Sequence, residues 1–450
     1  MKPTYEQLVD IVDSLQERVK KLEKENEKLR NELRKYINEN TPSGDIPQYL
    51  KKLEKEVDKY AKDENPEPPK ANKRNARPRQ IDRKEHHSLK NPVCPKCGSN
   101  ARRRGTSTRK RIVIELQLPK AETVEHECDV YQCKKCSTVF AAPVLNALPN
   151  TKFDITVMVL MSYLFNAAKM SVGDIKSLLH LFGVDASKGN ITDSMKRLKL
   201  YLGEYYGELL ERIKSSPTRY KDETTHRFNG KNFWVWVIAT TDWVYYKIED
   251  SRSYKVAREL GSTSGVDVVD GYAGYNKLES DIQRDWSHML RRAKKPIHDF
   301  GRDEKYTGYK KWAKRLAKLF HDAKVAKKKS GPSEALRREF DERLWKLVKS
   351  APKEGRNFAR IVNYIMKFDG EWFTFLQHKD TEPTSNRAER ALRPMVIKRR
   401  ISQQSRGEDN LDSYAMQMSL YMTSKLQGQD YFENLSNILK NGVSSSPYKS

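Results

Sequence analysis

No apolar run in this 450-residue chain reaches the roughly 20 residues that a helix needs to cross a bilayer. The most apolar stretch, Phe153 to Ala168, is broken by Asp154 and Asn166, so it reads as a buried helix. The charged N-terminus lacks the apolar segment of a secretory leader, and the expectation is a cytoplasmic protein with no membrane partner. Cysteine is scarce: five residues exclude a disulfide-built scaffold and suit thiols kept reduced for metal. Apolar residues make up 37%, below the roughly 45–50% of ordinary globular chains, so part of the chain is arm, linker or exposed helix. Acid is also short. Against 86 Lys and Arg stand 60 Asp and Glu, a net charge of +26, and an excess of that size implies a polyanionic partner.

The surplus is concentrated. Residues 68 to 111 hold fifteen Lys and Arg, among them Arg102, Arg103 and Arg104, against Asp82 and Glu85. A solvated linker explains such a run as readily as phosphate contact does, but its place beside a cysteine module favours phosphate contact. Ahead of it, residues 5 to 37 carry heptads, with Tyr5, Val12, Val19, Asn26 and Leu33 at one apolar position and Leu8, Leu15, Leu22, Leu29 and Tyr36 at the other. β-branched residues at a, Leu at d and one Asn at a favour a parallel two-stranded coiled coil. A homo-oligomer is therefore expected through residues 1–40, followed by a basic flexible linker over 41–92. A single amphipathic helix packed on its own domain is the alternative.

Cys94-Pro95-Lys96-Cys97 and Cys133-Lys134-Lys135-Cys136 are two knuckles whose thiolates together complete a tetrahedral zinc shell. Strand-like runs at 112–116 and 130–131 between them predict a zinc ribbon over 93–145, with structural Zn²⁺ held by Cys94, Cys97, Cys133 and Cys136. Cys128 is left as an ordinary thiol. Over 150–215 the pattern is helical. Ser171 is a predicted N-cap, Gly183 a stop, and a longer helix runs from about Ser187 to Ile213. A helix-turn-helix-like DNA-binding region fits, and so does plain helical packing.

The character changes near residue 218. Strands are predicted at 219–222, 233–240, 243–248 and 266–270, with a short helix at 253–260. Residues 303–370 read as a helical insertion, with stripes at Trp312, Leu316, Leu319 and Phe320 and at Phe340, Leu344, Leu347 and Val348, broken by Gly331-Pro332 with Ser333 as cap. Asp222 sits on the opening strand, Asp270 ends the fourth, and Glu389 opens a later helix. Singly, each has a plain reading: a surface strand residue, an Asp-Gly turn, and a capping box from Asn386 to Glu389. Together they form the layout of a ribonuclease-H-like core in two parts, 216–302 and 371–450, whose carboxylates can hold two divalent metals. Arg387, Arg390 and Arg393 recur every third residue and would share a helix face as phosphate clamps, with Pro394 limiting or kinking that helix. The expected fold is α+β and multidomain: coiled coil, zinc ribbon, helical region, and catalytic core with insertion.

These motifs resemble the DDE transposases of the insertion sequence sixty-six (TnpC) type. The resemblance rests on Asp222-Glu223-Thr224, Asp270-Gly271-Tyr272-Ala273-Gly274-Tyr275, Trp286-Ser287-His288 with Arg291-Arg292, Asn386-Arg387-Ala388-Glu389-Arg390-Ala391-Leu392-Arg393-Pro394, and Ser405-Arg406-Gly407. It implies a ribonuclease-H-like fold in which Asp222, Asp270 and Glu389 are the catalytic ligands of two Mg²⁺ or Mn²⁺ ions. It also implies DNA partners in the element's terminal repeats and the target, and leaves accessory transposition proteins as an open partner class. Where family members often carry Cys-Trp-x-His, this chain has Asp285-Trp286-Ser287-His288; His288 is a candidate for the site or a structural histidine. The competing function is a zinc-containing, dimeric DNA-binding regulator whose ribonuclease-H-like domain is inert.

Overall fold

The computed structural model describes residues 98–100, 120–137, 139–300, 307–351, 356–402 and 409–445. The heptads, the 41–92 linker, Cys94, Cys97, Arg102 to Arg104 and the Ser405-Arg406-Gly407 motif lie outside the described residues. The second knuckle is described. β1 (Val130–Gln132) and β2 (Val139–Ala141) pair antiparallel, and between them the Ser137 amide donates to the Cys133 carbonyl at 2.9 Å. Ser137 takes a positive φ of 59° to close this turn, leaving Cys136 exposed and Cys133 and Cys128 half-buried.

Four helices follow: α1 (Ile155–Asn166), α2 (Val172–Leu181), α3 (Lys188–Arg197) and α4 (Lys199–Lys214). Side-chain oxygens that satisfy otherwise orphaned amides start the first three. Asp154 accepts from the Val157 amide, and Ser171 with Asp174 and Ser187 with Asn190 form reciprocal capping boxes. Gly183, at φ +81°, ends the turn after α2. The single long helix expected from Ser187 is divided at Leu198, the residue between α3 and α4, which still holds right-handed helical angles.

A five-stranded sheet comes next, built from β3 (Thr218–Phe228), β4 (Lys231–Ala239), β5 (Val244–Glu249), β6 (Val266–Val269) and β7 (Asp281–Arg284) in the order β5-β4-β3-β6-β7. β3 to β5 form an antiparallel meander, while β6 runs parallel to both β3 and β7. The short helix α5 (Tyr254–Glu259) supplies the crossover from β5 to β6. α6 (Trp286–Phe300) leaves β7, and α7 (Thr307–Ser330), α8 (Glu334–Lys349) and α9 (Arg356–Lys367) complete the insertion. The Ser333 side chain caps α8, and Gly331 breaks the chain before it at φ +77°. α10 (Asn386–Ser402), α11 (Asp409–Gln427) and α12 (Tyr431–Ser445) close the fold.

Alternation along β4 sorts the layers, since neighbouring side chains on a strand face opposite ways. Val235, Val237 and Ala239 pack with Ala391 and Met395 of α10 and Met418 of α11. Trp236 and Ile238 pack with Leu209 and Ile213 of α4 and Val256 of α5. The sheet is thus covered on both faces in a mixed α/β arrangement, and each fully buried side chain of this kind contributes roughly 1.5–3 kcal/mol. α1 to α4 also share a core with the C-terminal helices, Ile175, Leu179 and Ile191 meeting Leu420, Leu435 and Leu439. The insertion has its own aromatic core, in which Trp286 stacks on Phe320 at 4.7 Å and donates its indole N–H to the Trp372 carbonyl.

Candidate active site

The pairing of β3 with β6 brings the first two predicted carboxylates together. Thr218, Arg219 and Tyr220 lie opposite Val266, Asp267 and Val268; Asp222 follows two residues on along β3 and Asp270 two residues after Val268, beyond the paired stretch, and the charge of Asp270 acts on Asp222. The two-residue period puts Asp222 on the face of Tyr220, which packs against α10, the helix carrying Glu389. Asp270 stands just past the end of β6, its carboxylate accepting the Tyr272 amide at 2.8 Å. Tyr364 packs directly over the backbone at Gly271, where a Cβ would lie 2.8 Å from a carbon of its ring.

α10 begins at Asn386 itself, which moves Glu389 one position beyond a capping-box residue. Its Oε1 lies 3.2 Å from His288 Nε2 on α6 and 3.9 Å from an Arg291 nitrogen. The His288 contact, outweighing burial and aided by Arg291 and Arg393, holds the Glu389 carboxyl below its usual range. Burial opposes charge on His288, but Glu389 and then Asp285 overcome it and raise the imidazole's affinity for a proton. Asp285 is buried and fixed by the Ser287 amide and the Ser385 hydroxyl, each at 2.6 Å. Among the described residues, Asp285, His288 and Glu389 each offer a ligand atom within 4.8 Å of the others. Asp222 and Asp270 stand outside that cluster.

Asp222 has the most crowded environment. Burial, then the charges of Glu223, Asp270 and Glu389, push its carboxyl well above the ordinary range. Such crowding disfavours the ionised form, and a bound cation relieves it. Glu223 points to the other face of β3, where Arg252 donates to its Oε1 at 2.9 and 2.5 Å and Tyr275 donates to its Oε2. Arg252 is in turn sandwiched between Trp234 and Tyr272, at 4.6 and 4.0 Å from the ring centres. Buried Arg284 donates to the Asp270 carbonyl at 2.8 Å, to Asn276 at 2.7 Å and to Glu371 at 2.5 Å, tying the Asp270 loop to β7. Arg219 and Lys221 meet buried Asp267 at 2.8 and 2.9 Å behind the strands. Sequence reasoning does not single out Glu223, Arg252, Asp285 or Arg284 as site residues. Only Glu223 and Asp285 carry a signal, as neighbours within the recognised motifs.

The three arginines of α10 divide. Arg387 is paired with Glu382 at 2.7 Å and lies over the Tyr220 ring, whereas Arg390 and Arg393 are exposed. Pro394 lies inside α10, which continues to Ser402, so the limit expected there is not imposed.

Two proteins of Sinorhizobium fredii (strain NBRC 101917 / NGR234) are similar to this chain. The first, described as uncharacterized protein y4qI, is 27% identical over 291 residues, which is 57% of this chain and 53% of its own length. The second, uncharacterized protein y4jD, is 26% identical over 296 residues, 59% of this chain and 58% of its own. The chain thus spans little more than half the length of these relatives. Residues 161–412, which include Asp222, Asp270, Asp285, His288 and Glu389, match the model of the family described as Transposase IS66 family, and the chain belongs to that family.

Proposed function

We propose that this protein is a DNA transposase that binds the ends of an insertion sequence and catalyses metal-dependent strand cleavage and strand transfer through Asp222, Asp270 and Glu389. The observation that supports this reading is the pairing of β3 with β6, Tyr220 opposite Val268, with Asp222 and Asp270 each two residues further on and the β3 face of Asp222 packed against the Glu389 helix. The central position of β3 between an antiparallel meander and parallel β6 and β7 supports a ribonuclease-H-like core.

The donor set fits the proposed metals. Carboxylate oxygens suit Mg²⁺ and Mn²⁺, and the crowding at Asp222 favours a cation there. A bound pair would lower the pKa of the attacking water or 3′-hydroxyl and stabilise the leaving oxygen. The chain's own residues orient the rest. Asp270 is fixed by the Tyr272 amide and Glu389 by His288, while exposed Arg390 and Arg393 flank Glu389 as phosphate contacts. Arg387 belongs to the same proposed contact face, with Glu382 as its partner before DNA binds. The reading extends to the rest of the chain: structural zinc at Cys94, Cys97, Cys133 and Cys136, DNA contact by α2 and α3 and by Arg102, Arg103 and Arg104, and self-association through residues 1–40.

The test is Mg²⁺- or Mn²⁺-dependent cleavage or strand joining on DNA carrying the element's own terminal repeats, for wild type and Asp270→Ala. Activity in the wild type and a loss of at least a hundredfold in the variant is expected. Equal activity in both, or none in either, overturns the assignment.

A further inference from the structure

The helical insertion carries a charge pattern that its packing does not require. α7 holds nine Lys and Arg against one acid, Asp322, while α8 beside it holds five against four. α8 neutralises its own surface: Glu334 pairs with Arg338, Arg337 with Asp341, Glu339 with Arg343 and Glu342 with Lys346, all at i,i+4. That is the pattern of a helix face that meets only water. The one acid of α7 is directed to Arg343 of α8, at 2.9 Å.

Burial fixes which side of α7 faces out. Trp312, Leu316, Leu319 and Ala323 are buried in the insertion core. At 3.6 residues per turn, Lys311, Arg315, Lys318 and Lys329 fall within about 60° of one another, about 100° round the helix from that stripe, in an arc that also holds Asp322, and all four are exposed. At 1.5 Å per residue they span about 27 Å, the rise of about eight phosphates along one strand of a duplex. We propose that this outward face of α7 is a phosphate-binding ridge for duplex DNA, distinct from the carboxylate site.

The chemistry favours duplex DNA over other polyanions. A bilayer-bound helix needs an apolar face toward the lipid, and that face of α7 is buried in protein. Single strands are held on aromatic platforms, and the ridge has no aromatic residue. The ridge is also joined to the site's own support, since Tyr309 of α7 donates to the Ala293 carbonyl of α6 at 2.8 Å and α6 carries His288. The inference rests on DNA being the partner and does not need the carboxylates to be catalytic.

The test is fluorescence anisotropy of the full-length chain with a labelled duplex of about 30 base pairs, without divalent metal, across a salt series. In the quadruple variant Lys311→Ala, Arg315→Ala, Lys318→Ala and Lys329→Ala, the slope of log affinity against log salt should fall by about 3 to 4, at about 0.9 for each phosphate left without its cation. Alanine is the best helix former, and an unchanged melting temperature will show that the fold is kept. The control variant Arg338→Ala, Lys346→Ala and Lys349→Ala on α8 should change the slope by less than about 1. An α7 slope equal to wild type overturns the ridge, as does an α8 loss that matches α7 charge for charge. No strand is cut in this assay, so its outcome is separable from that of Asp270→Ala: an unchanged slope with intact cleavage removes the ridge alone, and a reduced slope without cleavage removes the catalytic reading alone.

Discussion

Asp222 and His226, four residues apart on β3, show how burial sets the chemistry of individual side chains. At Asp222 it joins with three neighbouring carboxylates to oppose ionisation. At His226 burial, helped by Arg399, opposes protonation and lowers the imidazole to about 4. The folded state therefore binds fewer protons than the unfolded state between the unfolded value of 6.5 and about 4, and stability falls as pH drops through that window. Between pH 7 and pH 5 this histidine should cost the wild type roughly 2 kcal/mol. Replacing it with phenylalanine, a ring of similar size without a titrating nitrogen, should remove that part of the acid sensitivity. Melting curves of wild type and His226→Phe at the two pH values test this, and an equal drop in both would refute it. His226 sits in a polar stretch, Thr224-Thr225-His226-Arg227, so nothing local announces that it is buried; Tyr414 of α11, its aromatic neighbour, lies far along the chain.

The elements differ from expectation where tertiary pairing overrides local pattern. The sequence pattern ends β3 at Asp222, yet the strand continues to Phe228 because β4 pairs with it to the hairpin end, Phe228 opposite Lys231. Asn229 and Gly230 make the turn, both at positive φ, as a two-residue Asn-Gly hairpin loop requires. That dipeptide is a legible turn signal, but the strand before it lacks the apolar alternation that would mark a hairpin. β7 escapes the sequence for a related reason: Asp281-Ile282-Gln283-Arg284 buries polar side chains, Gln283 and Arg284, whose partners include distant groups such as the Trp372 carbonyl and Glu371. Gly230→Ala should cost about 1–2 kcal/mol, the penalty for a left-handed L-residue, with open space around the added methyl excluding a clash. Thermal unfolding checks the figure; a change below a few tenths of a kcal/mol would contradict the turn assignment.

At the scale of the whole molecule, the helices of residues 155–214 share a core with α11 and α12, so two segments that lie on either side of the sheet in sequence stabilise each other by direct contact. The cysteine knuckles belong to this scale because their four proposed ligands come from two separated segments. Metal analysis of the full chain should find about one zinc per protomer, lost on Cys133→Ser; a wild-type protein without zinc would refute the assignment. The sequence by itself determined the family, through Asp222, Asp270, Glu389 and their flanking residues, and many of the element types. Short-range periodicity and capping are local properties, as Ser171, Ser187 and Ser333 show. Tertiary structure alone decided what surrounds the carboxylates. His288 meets Glu389 across 101 positions, Tyr275 meets Glu223 across 52 and Ser385 meets Asp285 across 100. These pairs depend on how the sheet and the insertion fold onto each other, and no spacing along the chain encodes that geometry.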